Sequence, residues 1–332
     1  MDAIQAPPHT MKGCTMLRHT FRLTAVVAVA TCLLSPIQSR AEDSTDVARL
    51  TILHTSDLHG TVLPFNDFTD QPSTRGSLAQ VATIVERVRA EVKHAVLVLD
   101  SGDTSQGTPF EQFVAVRWGR ASPTITSMNA IGYDAMAVGN HEFNFGLEVL
   151  RRAEAFATFP MLSANTLAEA TGKPAFAPYT VLEHDNLRIG ILGLITPNVP
   201  AWEKASNYQG LTFEPMDEAA RRWVPVLRED LRCDLVVVLA HTGFEYESDN
   251  PAADPENYLG RLVAIPGIDL VLSGHTHTDM PPSEVDGVIV SQPAARARRL
   301  TRIDLELTRD QDGWRIDAWE GSNLPTGGDQ PD

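Results

Sequence analysis

The stretch "GIDLVLSGHTHTD", residues 267–279, runs from an apolar segment through a glycine to two histidines one residue apart. In an extended segment residues i and i+2 face the same side, so His275 and His277 are expected to reach one point in space. Two imidazoles aimed at one point suggest a metal. Working outward, the same order recurs along the chain. Asp57 and His59 follow "RLTILHT" (49–55), and Asp103 follows "AVLVLDSG" (95–102). Asn140 closes "DAMAVGN" (134–140) with His141 next, and His241 ends "DLVVVLAH" (234–241). These runs and "LRIGILGLI" (187–195) read as buried strands, each short and rich in apolar residues. Between them "GSLAQVATIVERVRAEVK", "TITSMNAIG", "GLEVLRRAEAF" and "DEAARRWVPVLREDL" carry apolar residues near the helical period. Alternating strands and helices predict an α/β domain. Its ligand-binding edge is the carboxyl end of the strands, where these Asp, His and Asn residues fall. After residue 286 the pattern changes. "GVIVSQP", "LTRIDLELTRD" and "GWRIDAWEG" read as successive strands, with "RDQDG" as a hairpin turn.

Composition narrows the function. The 332 residues carry 27 Lys and Arg against 43 Asp and Glu, a net charge of −16. So acidic a chain is unsuited to stable nucleic-acid binding, which relies on basic side chains neutralising phosphates. Bound divalent cations would let it attract a small phosphorylated substrate. Residues 1–41 have the order of a cleaved signal peptide: Arg18 and Arg22, the apolar "LTAVVAVATCLL", then "SRA" ending at Ala41. That apolar stretch is too short to span a bilayer, which takes about 20 residues. The expected product is periplasmic or secreted, with no membrane anchor. Cys14 and Cys32 lie in this leader, so only Cys233 remains and no intrachain disulfide can form. Residues 42–48 are expected as a linker, 49–320 as one catalytic domain and 321–332 as a mobile tail. The sequence leaves the oligomeric state open.

The chemistry lies in the joint set Asp57, His59, Asp103, Asn140, His241, His275 and His277. Seven oxygen and nitrogen donors exceed one tetrahedral zinc and suit two adjacent ions. Mixed carboxylate and imidazole donors favour Zn, Mn or Fe over Ca or Mg. Asp103 is the natural bridge, since a carboxylate can give one oxygen to each ion. Two such ions clamp a phosphoryl group and turn a water between them into a hydroxide that attacks phosphorus. His141, next to a ligand, is placed to protonate the leaving oxygen or to stabilise charge.

The blocks "ILHTSDLHG", "LDSGDTSQGTP", "MNAIGYDAMAVGNHEFNFG", "IGILGLITPNVPAWE", "VVVLAHTG" and "PGIDLVLSGHTHT" resemble the metallophosphoesterases, or calcineurin-like phosphoesterases. Within that superfamily the chain is most similar to exported 5′-nucleotidases and 2′,3′-cyclic-nucleotide phosphodiesterases, over residues 49–320. The resemblance implies a four-layer α-β-β-α sandwich. It implies one metal held by Asp57, His59, Asp103 and His277, and a second held by Asp103, Asn140, His241 and His275. It makes His141 the catalytic histidine of a phosphoric ester hydrolase. Two departures stand out. Three residues after His141, where many 5′-nucleotidases have an aspartate, this chain has Asn144, which can orient the ring but not balance its charge. The family also usually continues into a nucleoside-binding domain, which is expected to be absent here. That leaves a broad-specificity phosphomonoesterase or phosphodiesterase, or a non-catalytic metal-binding remnant, as alternatives. Arg296, Arg298 and Arg299 in "ARARR" are candidate phosphate contacts, or basic residues guarding a sheet edge. Trp202 is a candidate platform for a base, or a residue packed under a loop.

Overall fold

Every residue of Leu235–His241 is buried. A strand apolar on both faces must lie in a sheet covered on both sides, and the architecture follows from that requirement. The computed structural model describes residues 46–244, 256–311 and 313–327, all within one compact unit, Thr45–Asp332. In chain order the strands of its two large sheets are β1 (Asp46–Thr55), β2 (Ala95–Asp100), β3 (Ala135–Ala137), β4 (Met161–Leu162), β5 (Tyr179–His184) and β6 (Leu187–Ile195). They continue as β7 (Leu235–His241), β8 (Leu270–Ser273), β9 (Met280–Val285), β10 (Val288–Gln292), β11 (Arg299–Asp310) and β12 (Gly313–Pro325). The first sheet has the order β12-β11-β1-β2-β3-β4 and the second the order β9-β10-β8-β7-β6-β5. In the first sheet β1 to β4 run parallel, and β11 pairs antiparallel with both β1 and β12; in the second β10, β8, β7 and β6 run parallel and the two edge strands, β9 and β5, pair antiparallel.

Three apolar cores set the layers. Between the sheets, Leu50, Ile52, Leu97 and Leu99 of the first meet Ile191, Val237, Leu239 and Leu272 of the second. On the outer face of the first sheet pack α1 (Leu78–Glu91), α2 (Pro123–Ile131) and α3 (Leu147–Phe156), through Val81, Val85, Met128 and Leu150. On the outer face of the second pack α4 (Met216–Pro225) and α5 (Leu259–Val263), through Ala219, Val224, Leu259 and Leu262. The result is the expected four-layer α-β-β-α sandwich. Local signals place the helices. Ser77 caps α1 by accepting from the Gln80 N–H. In α4, Pro225 brings no N–H, and the following turn widens into a π-helical stretch, Val226–Asp230.

β6 coincides with the expected strand 187–195. Strands β5 and β9 were not expected. Both are edge strands, and β9 carries Pro281 and Pro282, which only an edge tolerates because it leaves N–H positions unpaired. The ends differ from expectation too. Asp46–Ala48, expected as linker, pair with Arg309–Leu307. Gly321–Pro325, expected as mobile tail, pair with Ile303–Arg299. A polar, glycine-bearing sequence can still hold a strand when a long neighbour offers it a ladder. The leader expectation, 1–41, lies outside the described residues. Among the described residues no helix is long and apolar enough to cross a membrane.

Candidate metal centre

The parallel strands of both sheets end on the same side, and the seven residues singled out by the sequence collect there. Asp57 and His59 follow β1, Asp103 follows β2, and Asn140 follows β3. From the second sheet, His241 ends β7, and His275 and His277 follow β8. Asp57, His59 and His277 each bring one donor atom within 4.8 Å of the others, and Asp103, His241 and His275 do the same. Asn140 joins the second group through Oδ1, 3.0 Å from His241 Nε2. Each group therefore draws on both sheets.

One expectation is corrected. His275 and His277 do not sit in an extended segment aimed at one point; they serve different groups. β8 stops at Ser273, the Thr276 N–H donates to the Gly274 carbonyl at 3.0 Å, and His275 and His277 have φ of 78° and 61°. The same left-handed conformation occurs at Asp57, His59 and Asp103. Such conformations cost about 1–3 kcal/mol each and persist only where the surroundings impose them. Glycine makes the approach possible. A Cβ on Gly274 would lie 2.0 Å from Ser56 Oγ and 3.0 Å from Asp57 Oδ2, and one on Gly139 would lie 2.3 Å from Asp103 Oδ1.

The donors are oriented as cation ligands should be. His59 Nδ1 donates to the Gln106 carbonyl at 2.7 Å, so Nε2 turns inward, 3.0 Å from His277 Nε2. His241 Nδ1 donates to the Ser101 carbonyl at 2.7 Å, leaving Nε2 3.1 Å from Asp103 Oδ2. His275 Nε2 is held by Glu256 at 2.7 Å, while its Nδ1 is buried without a hydrogen-bond partner among the described residues. A ring nitrogen fixed by a carbonyl or carboxylate, with the other left for the ion, is the usual support of a metal-bound histidine. The donor set fits divalent cations.

The charges agree. Burial would raise the Asp103 carboxyl, yet the adjacent His241 brings it well below the ordinary carboxylate range. Burial likewise opposes ionisation of Asp57, and the His277 hydrogen bond together with the charges of His241 and His277 brings it below the ordinary carboxylate range. Burial disfavours charge on His241, but Asp103 beside it pushes this imidazole up to about 10. These groups hold one another's charges, and a divalent ion competes with the protons for the same atoms.

His141 stands at the rim, its ring 5.2 Å from that of His59 and its Nε2 3.9 Å from Asp103 Oδ2. Asn144 accepts from His141 Nδ1 at 2.6 Å, as expected of a residue that orients the ring. Asn144 in turn donates to Glu203, which also accepts from Asn207 at 2.8 Å. Three carboxylates were thus missed, Glu256 beside His275 among them. Glu203, 59 residues beyond Asn144, gives no local signal of this contact. Glu142, in "GNHEF", could have been suspected from its place beside the histidine. It is buried and accepts from the Asp103, Thr104 and Gly139 N–H groups at 2.7–2.8 Å, which fixes the Asp103 loop.

The arginines lie beside this centre rather than on a sheet edge. Residues 293–298 carry the chain from β10 in the second sheet to β11 in the first, and the Arg296 N–H donates to the Asp57 carbonyl at 2.7 Å. Arg298 and Arg299 line a cleft of about 580 Å³ with His277. Arg299 Nε donates to Asp279 at 3.0 Å. Arg296 lines a neighbouring cleft with Arg75 and Arg298.

An α/β sandwich that gathers paired carboxylate–imidazole groups at its strand ends is built to hold divalent cations. The calcineurin-like phosphoesterase model matches residues 50–279. The chain belongs to that family, whose members use divalent metals. It is 31% identical over 321 residues to a 2′,3′-cyclic-nucleotide 2′-phosphodiesterase/3′-nucleotidase of Yersinia enterocolitica, covering 89% of this chain and 48% of that protein. It is also 31% identical to a 5′-nucleotidase of Vibrio cholerae, over 80% of this chain and 46% of that protein. Among solved structures it is similar to the calcineurin-like phosphoesterase YfkN of Bacillus subtilis, with a TM-score of 0.77 and 26% identity. That match covers 85% of this chain and 92% of the other. The chain spans about half the length of the curated relatives it matches.

Proposed function

We propose that this protein is an exported phosphoesterase that hydrolyses nucleotides, 2′,3′-cyclic nucleotides above all. The observation that carries the reading is the pair of donor groups, each straddling the two sheets, with His141 held beside them. Asp57, His59 and His277 would hold one divalent ion. Asn140, His241 and His275 would hold a second, with Asp103 shared between them. Such ions supply Lewis-acid charge on the phosphoryl oxygens and acidify a water to serve as nucleophile near neutral pH.

The chain's own groups do the rest. Asn144 keeps the proton of His141 on Nδ1, which leaves Nε2 to carry and deliver a proton to the leaving oxygen. The cleft shared by His277 and Arg298 offers a guanidinium to a phosphate oxygen beside the ions. Arg296 stands next along the same wall, and Arg299 is partly committed to Asp279. Export is supported by the charged, apolar and small-residue order of residues 1–41; the protein should fractionate with the periplasm or medium.

The test is a substrate panel on protein reconstituted with Mn, Zn or Co, with His141→Ala beside the wild type. Removing a general acid should lower turnover about 10²–10⁴-fold, while metal analysis still finds two ions per chain. A variant as active as the wild type would falsify the assignment.

A further inference from the structure

On the Asn144 side of the centre the surface opens into a cleft of about 460 Å³. Its inner end is made by residues already tied to the reacting atoms. Gln106 accepts from His59, Gly107 packs against the His59 side chain, and Asn144 orients His141. Its walls carry two exposed aromatic rings. Phe68 is 73% exposed and Trp202 is 44% exposed, and both line the same cleft. The Trp202 ring is steadied 5.4 Å from the ring of His275, one of the candidate ligands. Scattered exposed aromatics need no explanation. Two of them lining one opening beside a proton-donating histidine do.

The charges divide the surroundings. Arg298 and Arg299 line the opening next to His277, while in the Asn144 opening the one cation, Lys204, is matched by the carboxylate of Glu203 and the amides of Gln106, Gln112 and Asn207 line the rest. An anion fits the first, and a flat, neutral, hydrogen-bonding ring fits the second.

We propose that this cleft seats the leaving nucleoside and that Phe68 and Trp202 are its base platform. The proposal rests on the phosphoesterase reading above and adds a base-recognition site within this chain. Stacking is tolerant of base identity because every base has a π-face, so the site should favour nucleotides over esters without a base while ranking the bases weakly.

The measurement is a selectivity ratio: kcat/KM for 3′-AMP and 2′,3′-cyclic AMP over kcat/KM for glycerol 2-phosphate, which has no base. Loss of one stacking partner should lower that ratio about tenfold in Phe68→Ala and in Trp202→Ala. Trp202→Phe should recover most of it, because the ring face is kept. Calorimetry with adenosine alone, on the metal-loaded protein, should show binding to the wild type and its loss in the double alanine variant. If the wild type hydrolyses both kinds of ester and the ratio does not move, the platform is wrong and the phosphoesterase reading stands. If the metal-loaded wild type hydrolyses neither kind, both fall. Adenosine binding that survives the double substitution also overturns the platform.

Discussion

Asn144 lies between an imidazole and a carboxylate, and its amide settles how each is held. Its oxygen accepts from His141, so its nitrogen faces Glu203, and the His141 ring is held with Nδ1–H on the amide and Nε2 toward Asp103. The negative charge that a neighbouring aspartate would bring is placed one group further away, on Glu203. We expect Glu203→Ala to free the amide to turn and to lower kcat about tenfold, the scale of a lost hydrogen bond to a charged group, with KM little changed. Glu203→Gln, which keeps an acceptor oxygen, should restore most of that loss. Equal kcat in wild type and alanine variant would remove Glu203 from the site. The residue types at the centre were legible in the sequence because each follows an apolar run. A histidine outside the set behaves differently. His54 is buried in β1 and bonded to Ser101 at 2.8 Å, and burial lowers its pKa to about 3, so it remains a neutral core group. Glu203 was hidden because nothing local to "PAWEK" reports a partner so far away.

At the scale of elements, periodicity located the buried strands and the long helices, and it failed where a segment depends on its neighbour. β9 with its two prolines and the two-residue β4 lack any pattern of their own. The last strand shows the same dependence. Pro325, Leu324 and Asn323 of β12 pair with Arg299, Leu300 and Thr301 of β11. Asn323 also donates to Asp279 at 2.7 Å and to the Gln292 carbonyl at 2.9 Å, and Thr326 Oγ1 bonds the Ala297 carbonyl. The supposed tail thereby braces the crossover that carries Arg296 and Arg298 past Asp57. Ending the chain after Glu320 should cost about 3 kcal/mol or more, at about 1 kcal/mol per hydrogen bond lost. It should also reduce kcat/KM, because the crossover loosens. Urea unfolding and steady-state kinetics read the two effects. A truncated protein with wild-type midpoint and activity would show that this strand braces nothing.

On the scale of the whole molecule, the two donor groups join the sheets at one end. Asp57, His59, Asp103 and Asn140 come from the first sheet, and His241, His275 and His277 from the second. An ion bound by either group therefore holds only when the sheets are packed face to face, and it stabilises the native state by mass action. At a free-ion concentration of about 100 times Kd the gain is about 2.7 kcal/mol per site. A chelator should lower Tm by several degrees and added ion should restore it. Because protons and cations share the imidazoles and carboxylates, that gain should fade as the pH drops. A melting temperature indifferent to chelator at neutral pH would argue against bound ions at these residues. By itself the sequence determined the α/β alternation, the strands that end in ligands and the kind of ion that would suit them. Those are local matters of apolar spacing and donor chemistry, written in runs of fewer than ten residues or so. Tertiary structure alone decided that His275 and His277 leave the extended path their spacing suggests, that the final strands divide between two sheets, and that Glu203 reaches Asn144. Such choices depend on which distant segments meet, and the packing of one layer on another fixes them where no short window of sequence can.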